Sequence, residues 1–181
     1  MDSIISRVNR LSFKKVIWFL PICWAFHEAE EWNLIPWYQK HFVDPPEMTA
    51  LSVLTLLSCS ALFGFVWTSI ASLFRNSKVT AGILLLLFIP MVFMNAIQHL
   101  LWVVMFSAYS PGVCSSLFLV IPSVIYITWR VLKEGLLPKW YILILYLLTV
   151  PKIIETIQYG NKVMPMFERL YGFANWLANL L

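Results

Sequence analysis

From Thr49 to Phe74 the chain runs for 26 residues without an acidic or basic side chain. As a helix rising 1.5 Å per residue this stretch reaches roughly 39 Å, more than the ~30 Å hydrocarbon core of a bilayer. Hydrocarbon offers no hydrogen-bond partner to peptide groups, so a segment of this kind is confined to a helix. Four other stretches follow the pattern, at about 13–35, 79–108, 113–132 and 138–159. Composition agrees: 60% of residues are hydrophobic, 12% are charged and mean hydropathy is +0.77. A soluble domain carries about 25% charged residues. The expected fold is therefore all-α: one polytopic transmembrane bundle over residues 1–181, with about five spans and an amphipathic helix at 163–181. A sixth span in place of that last helix is the alternative.

Punctuation inside the spans is proline. Pro90, Pro122 and Pro151 each fall within an apolar run, where neighbouring helices must satisfy the carbonyls they free. The first span also has part of a signal-peptide pattern, with basic residues ahead of an 11-residue apolar core from Val16 to Phe26. The bulky Trp24, Phe26 and Trp32 and the continuing helical pattern favour a retained helix. Cys23, Cys59 and Cys114 are widely spaced, which suits small buried hydrophobes better than a disulfide frame or a zinc site. The net charge of +4 is not a nucleic-acid signature, because the basic residues sort by loop. Arg7, Arg10, Lys14, Lys15, Arg75, Lys78, Arg130, Lys133 and Lys139 fall on one side, and Lys40, Lys152, Lys162 and Arg169 on the other. The positive-inside rule then predicts a cytoplasmic N-terminus, as in a bacterial cytoplasmic membrane.

Against this background the segment His27-Glu28-Ala29-Glu30-Glu31 stands out. Ionisable groups inside a span are expensive, face the bundle interior and mark function. His27, Glu30 and Glu31 lie at i, i+3 and i+4 and share one helical stripe, while Glu28 points about a quarter turn away and is set aside. Asn95 and His99 make a second stripe at i, i+4, continued by Trp102. Glu155, Gln158 and Tyr159 make a third, with Lys152 one turn below. Counted from the cytoplasmic helix ends, His27 lies at roughly 16 Å, Glu30 and Glu31 at roughly 21–23 Å, Asn95 at roughly 24 Å, His99 at roughly 30 Å and Glu155 at roughly 22 Å. Three helices thus bring polar residues to the outer half of the membrane, and turning the stripes inward predicts one pocket.

Two chemistries fit such a pocket. Two histidines and a carboxylate form a known catalytic zinc set, and carboxylate-rich helical bundles also hold iron. In that reading His27, Glu31 and His99 bind a divalent metal, zinc or iron, and Glu30 or Glu155 serves as general base. Asn95 joins Glu30 and Glu155 as a candidate catalytic residue. Alternatively no metal is needed: paired carboxylates in a low dielectric divide into acid and base, suited to an isomerase or cyclase acting on an isoprenoid cation. Trp24, Trp102 and Tyr159, with Trp32 and Phe93, would line the substrate pocket and stabilise positive charge. A metal-ion or proton transporter, and a non-enzymatic subunit or immunity protein whose charges are structural ion pairs, are rival readings from other classes. Asn95 as interhelical glue and His99 as an ordinary hydrogen-bonded histidine belong with the last of these. Tyr109-Ser110-Pro111-Gly112 reads as a tight outer turn at the pocket mouth.

His27-x-x-Glu30-Glu31 late in a first hydrophobic helix, then Asn95-x-x-x-His99, then Tyr109-Ser110-Pro111-Gly112, resembles the family of small bacterial membrane proteins named for its HXXEE motif. The resemblance covers the chain through Gly112. It implies that His27, Glu30, Glu31, Asn95 and His99 are a defining constellation, and it implies no substrate. More distantly the architecture is similar to sterol isomerases of the emopamil-binding type and to integral-membrane terpene cyclases, a likeness of fold alone. The function expected is a membrane enzyme with an intramembrane His/Glu site, acting on a lipid-like or isoprenoid molecule and not on nucleic acid.

Overall fold

Prolines decide where the helices of this chain break. The computed structural model describes residues 11–180; Arg7 and Arg10, used above for orientation, lie outside them. After a helical turn at Phe13–Val16, helix α1 runs over Phe19–Glu30, passes through a 3₁₀ turn at Glu31–Asn33 and continues as α2 over Leu34–His41. Pro36 lacks the N–H that would close on the Trp32 carbonyl, so the α-helical ladder gives way just ahead of it. Helix α3 covers Ala50–Leu73, α4 Ser77–Phe106, α5 Val113–Lys133 and α6 Lys139–Tyr159. The π-helical turn at Phe88–Phe93 contains Pro90, and that at Ser116–Val120 ends just before Pro122. A widened turn accommodates the missing bond without ending the helix. Helix α6 is interrupted between Leu147 and Val150, just ahead of Pro151. Helix α7, Pro165–Ala178, closes the chain.

The all-α expectation holds. Among the described residues, α3, α4, α5 and α6 are long and apolar enough to cross a membrane, so the chain has the make-up of an integral membrane protein. The first span is different: its helix is broken at Glu31 and carried on to His41 by α2. Basic residues of separate segments meet at one end. Lys14 Nζ donates to the Phe74 carbonyl at 2.7 Å, and Arg130 donates to the Leu11 carbonyl at 3.2 Å.

Helix α3 is apolar on all sides, so hydrophobicity cannot orient it. Small residues do. Ser60, Gly64 and Thr68 recur every fourth residue and Ala71 follows, and this stripe faces α1. A Cβ on Gly64 would stand 3.2 Å from Trp24 Cδ1, so glycine there is what admits the indole. Cys59 and Cys114 are exposed and Cys23 half-buried, a correction to the expectation of three buried thiols. In a membrane bundle the outside is as apolar as the core, so an apolar context does not imply burial.

Two hydrophobic cores stack along the bundle. One joins α1, α4, α5 and α6 around Leu20, Trp24, Phe88 and Val124. The other joins α2, α3, α4 and α7 around Trp37, Tyr38, Trp102 and Tyr171. Helix α7 buries Tyr171, Ala174 and Ala178 and packs along α3.

Candidate functional site

Between the two cores lie His27, Glu31 and His99, all buried. His27 and Glu31 are one turn apart on the first helical segment, and His99 comes from α4. Glu31 Oε1 is 2.8 Å from His27 Nε2 and 2.9 Å from His99 Nε2. Asn95 Oδ1, one turn before His99, is 2.8 Å from His27 Nε2. The far side of each imidazole is held by serine: His27 Nδ1 is 3.0 Å from Ser115 Oγ, and His99 Nδ1 is 3.1 Å from Ser110 Oγ. Rings flank the pair. Trp24 stacks on His27 at 4.9 Å and Trp102 meets His99 edge-on at 5.1 Å between centroids.

Two serines meet His27 on one side and two oxygens on the other. The Ser115 hydroxyl donates to the Gly112 carbonyl at 3.1 Å, and a second hydroxyl, Ser116 Oγ, lies 3.3 Å from the same His27 Nδ1. His27 Nε2 faces two acceptors, the oxygens of Glu31 and Asn95. His99 Nε2 approaches Glu31 Oε1 outside hydrogen-bonding geometry and has no hydrogen-bond partner among the described residues. One potential ligand atom from each of His27, Glu31 and His99 lies within 4.8 Å of the others. A carboxylate buried this deeply needs a proton or a cation beside it, and two imidazoles with one carboxylate are a ligand set for zinc or non-haem iron.

The outer turn presses onto this cluster. Ser110, Pro111 and Gly112 are buried, and Gly112 has φ +90°. A Cβ there would stand 2.8 Å from His27 Cε1, 3.1 Å from His99 Cε1 and 3.1 Å from Glu31 Oε1. Glycine is required twice over, by conformation and by space.

Glu30 has a different task from Glu31. Its Oε1 accepts from the Tyr109 hydroxyl at 2.5 Å and from Cys114 N at 3.1 Å, and its Oε2 accepts from Ser115 N at 2.7 Å. Gly112 has no side chain with which to cap α5, so a carboxylate from α1 satisfies the free amides. Burial and the Glu30 carboxylate push the Tyr109 phenol above its ordinary pKa. The structure does not bring Glu155 into the cluster. It pairs with Lys152 at 2.8 Å at the half-exposed edge of α6, and Gln158 is exposed. The inward residue of α6 is its neighbour Thr156, 1% exposed. Tyr159 packs on the outer core.

Beside the cluster lies a cavity of about 620 Å³, bounded by α1, α3, α4 and α7, with Lys152 of α6 at its edge. Glu31, Asn95 and Trp24 line it, as does Glu28, which the sequence reading set aside. Glu28 is 6% exposed, and its Oε1 accepts from Ser60 Oγ at 2.6 Å. Its spacing held the signal: Trp24, Glu28 and Glu31 fall at i, i+4 and i+7, one helical face. Most of the wall is apolar, and Phe63, Met91 and Phe173 on it are exposed on the outside of the bundle.

No curated protein and no solved structure matches the chain, and nothing supports the wider likeness to isomerases and cyclases. A family model described as a protein of unknown function with HXXEE motif matches residues 18–127. That match covers more than half of the sequence and includes every residue of the His/Glu cluster. The chain belongs to the HXXEE-motif family.

Proposed function

We propose that this HXXEE-motif protein is an integral membrane enzyme that binds one divalent transition metal, zinc or ferrous iron, at His27, Glu31 and His99. The observation that carries the reading is the convergence of two imidazole Nε2 atoms and one carboxylate oxygen, with both Nδ1 atoms held by serines. Outer partners of this kind orient histidine ligands and raise their basicity. When bound, the metal supplies a Lewis acid that polarises an oxygen of the substrate.

The chain's own residues divide the remaining work. Ser110 and Ser115 fix the imidazoles. Gly112 and Pro111 close the outer side and keep water away. Glu31 and Asn95 face the cavity, so a reacting molecule arrives from there, with the Asn95 amide placed to hydrogen-bond a polar group on it. Glu30, with its oxygens occupied by three donors, holds the turn and the start of α5 in place. An apolar cavity with exposed apolar residues on its wall suits a lipid-like or isoprenoid substrate entering from the bilayer. The same closure argues against ion transport, which needs a polar path to both faces. The Lys and Arg distribution supports a cytoplasmic N-terminus in a bacterial cytoplasmic membrane.

Metal analysis of the purified protein tests the reading. About one zinc or iron per chain is expected in the wild type, lost in both His27→Ala and His99→Ala. Protein that takes up no zinc or iron on reconstitution would refute the metal, and would leave a metal-free acid–base site built on Glu31 and the two imidazoles.

A further inference from the structure

Gln98 lies one turn from Asn95 on α4, is 1% exposed, and lines the same cavity. Its amide orientation is settled by its neighbour. The Thr156 hydroxyl donates to the Lys152 carbonyl at 2.9 Å, so Thr156 Oγ1 is left to accept, and Gln98 Nε2 donates to it at 3.1 Å. Gln98 Oε1 then has no hydrogen-bond partner among the described residues. A buried amide oxygen without a donor is unfavourable and calls for an explanation.

Glu28 poses the same question from the opposite wall. Trp24 Nε1 donates to Ser60 Oγ at 3.2 Å, and Ser60 donates to Glu28 Oε1 at 2.6 Å. The donor chain ends there, on a carboxyl group that lines the mostly apolar cavity. Gln98 and Glu28 thus line opposite walls of a cavity whose size falls among pockets that hold small molecules, about 300–1,000 Å³.

We infer that the cavity is a binding site for a single-chain alcohol, whose hydroxyl donates to the unpartnered Gln98 Oε1 while its hydrocarbon lies against Leu57, Phe63 and Phe167. This names the substrate class for the site proposed above and rests on that reading only for catalysis; binding stands on the cavity alone. An ether or hydrocarbon lacks the donor that Gln98 Oε1 needs.

The test uses the full-length protein in lipid nanodiscs and tritiated farnesol, with binding counted above empty nanodiscs. Unlabelled farnesol is expected to compete at least tenfold better than farnesyl methyl ether, the loss that follows from removing one hydrogen-bond donor. Hexadecanol competing as well as farnesol would identify a general long-chain alcohol site, and farnesol alone would identify a prenyl alcohol site; either supports the inference. Gln98→Leu is expected to abolish the preference for alcohol over ether. The ligand comparison on the wild type needs no variant, so a Gln98→Leu protein that misfolds leaves the test intact. Equal competition by alcohol and ether, or no saturable farnesol binding, overturns the inference. Metal content of the same preparation is a separate readout, so failure of the metal reading and failure of this one are told apart.

Discussion

Replacing Gly112 by alanine should damage this protein more than any other Gly→Ala change, and the structure separates the reasons. The first is backbone strain: at φ +90° an L-residue is disfavoured by about 1–2 kcal/mol. The second is collision. The new Cβ would sit 2.8 Å from His27 Cε1, where carbon–carbon contact is comfortable at about 3.5–4.0 Å. Neither imidazole is a free end that can swing aside, since Ser115 and Ser110 hold their Nδ1 atoms. Overpacking of this kind costs about 1–3 kcal/mol, for a total of about 2–5 kcal/mol. Gly135→Ala isolates the first effect, because Gly135 has φ +62° and nothing within 4 Å of its added Cβ. Gly172→Ala is the helical control, with open space and no positive φ, and should be neutral or stabilising by about 0.5–1 kcal/mol. Melting of the three variants in one detergent, at one scan rate, should order them Gly172→Ala, Gly135→Ala, Gly112→Ala from highest to lowest. A separation of several degrees is expected between the last two, at about 2–4 °C per kcal/mol. A Gly112→Ala protein as stable as Gly135→Ala would refute the contact between the outer turn and the His/Glu cluster.

Other predictions follow from the same contacts. Ser110→Ala and Ser115→Ala should each weaken metal binding about 10–100-fold, by loss of the group that orients an imidazole; chelator competition measures this, and an unchanged affinity in both would sink the assignment of the ligating nitrogens. Glu30→Gln should lower stability by about 1–3 kcal/mol, as charge-assisted bonds to Tyr109 and the α5 amides weaken, while metal content stays at the wild-type level. Loss of metal at unchanged stability would instead make Glu30 a ligand. Glu155→Gln should change stability by no more than about 1 kcal/mol, as for a partly exposed ion pair, and should retain the metal. Stripping the metal should lower the melting temperature of the wild type, by an amount equivalent to ~2.7 kcal/mol where free metal had stood at a hundred times its dissociation constant; His99→Ala should show no such response to chelator.

Helix periodicity made part of the site legible from the sequence. The i, i+4 spacings of His27 with Glu31 and of Asn95 with His99 are properties of the backbone, so each pair had to share a face. A polar pair in an apolar span has to turn inward, and both pairs do. The aromatic partners Trp24 and Trp102 follow from the same spacing, at i−3 from His27 and i+3 from His99. Glu155 shows where such reasoning stops. Its helix is interrupted at Leu148–Thr149, which resets the rotation of everything after it, and the residue delivered to the interior is Thr156.

What the sequence determined by itself was the class of fold, the lengths of four of its long helices and the two pairs of polar residues, because each follows from local geometry and from what hydrocarbon tolerates. Tertiary structure alone decided the rest. Glu30 and Glu31 are neighbours in sequence, yet one caps a distant helix and the other joins two histidines, since successive residues on a helix point about 100° apart toward different partners. Glu28 became part of a cavity wall because small residues on α3 let α1 approach closely. Gly112 meets both imidazoles across more than ten residues of sequence on one side and eighty on the other, a contact no periodicity encodes.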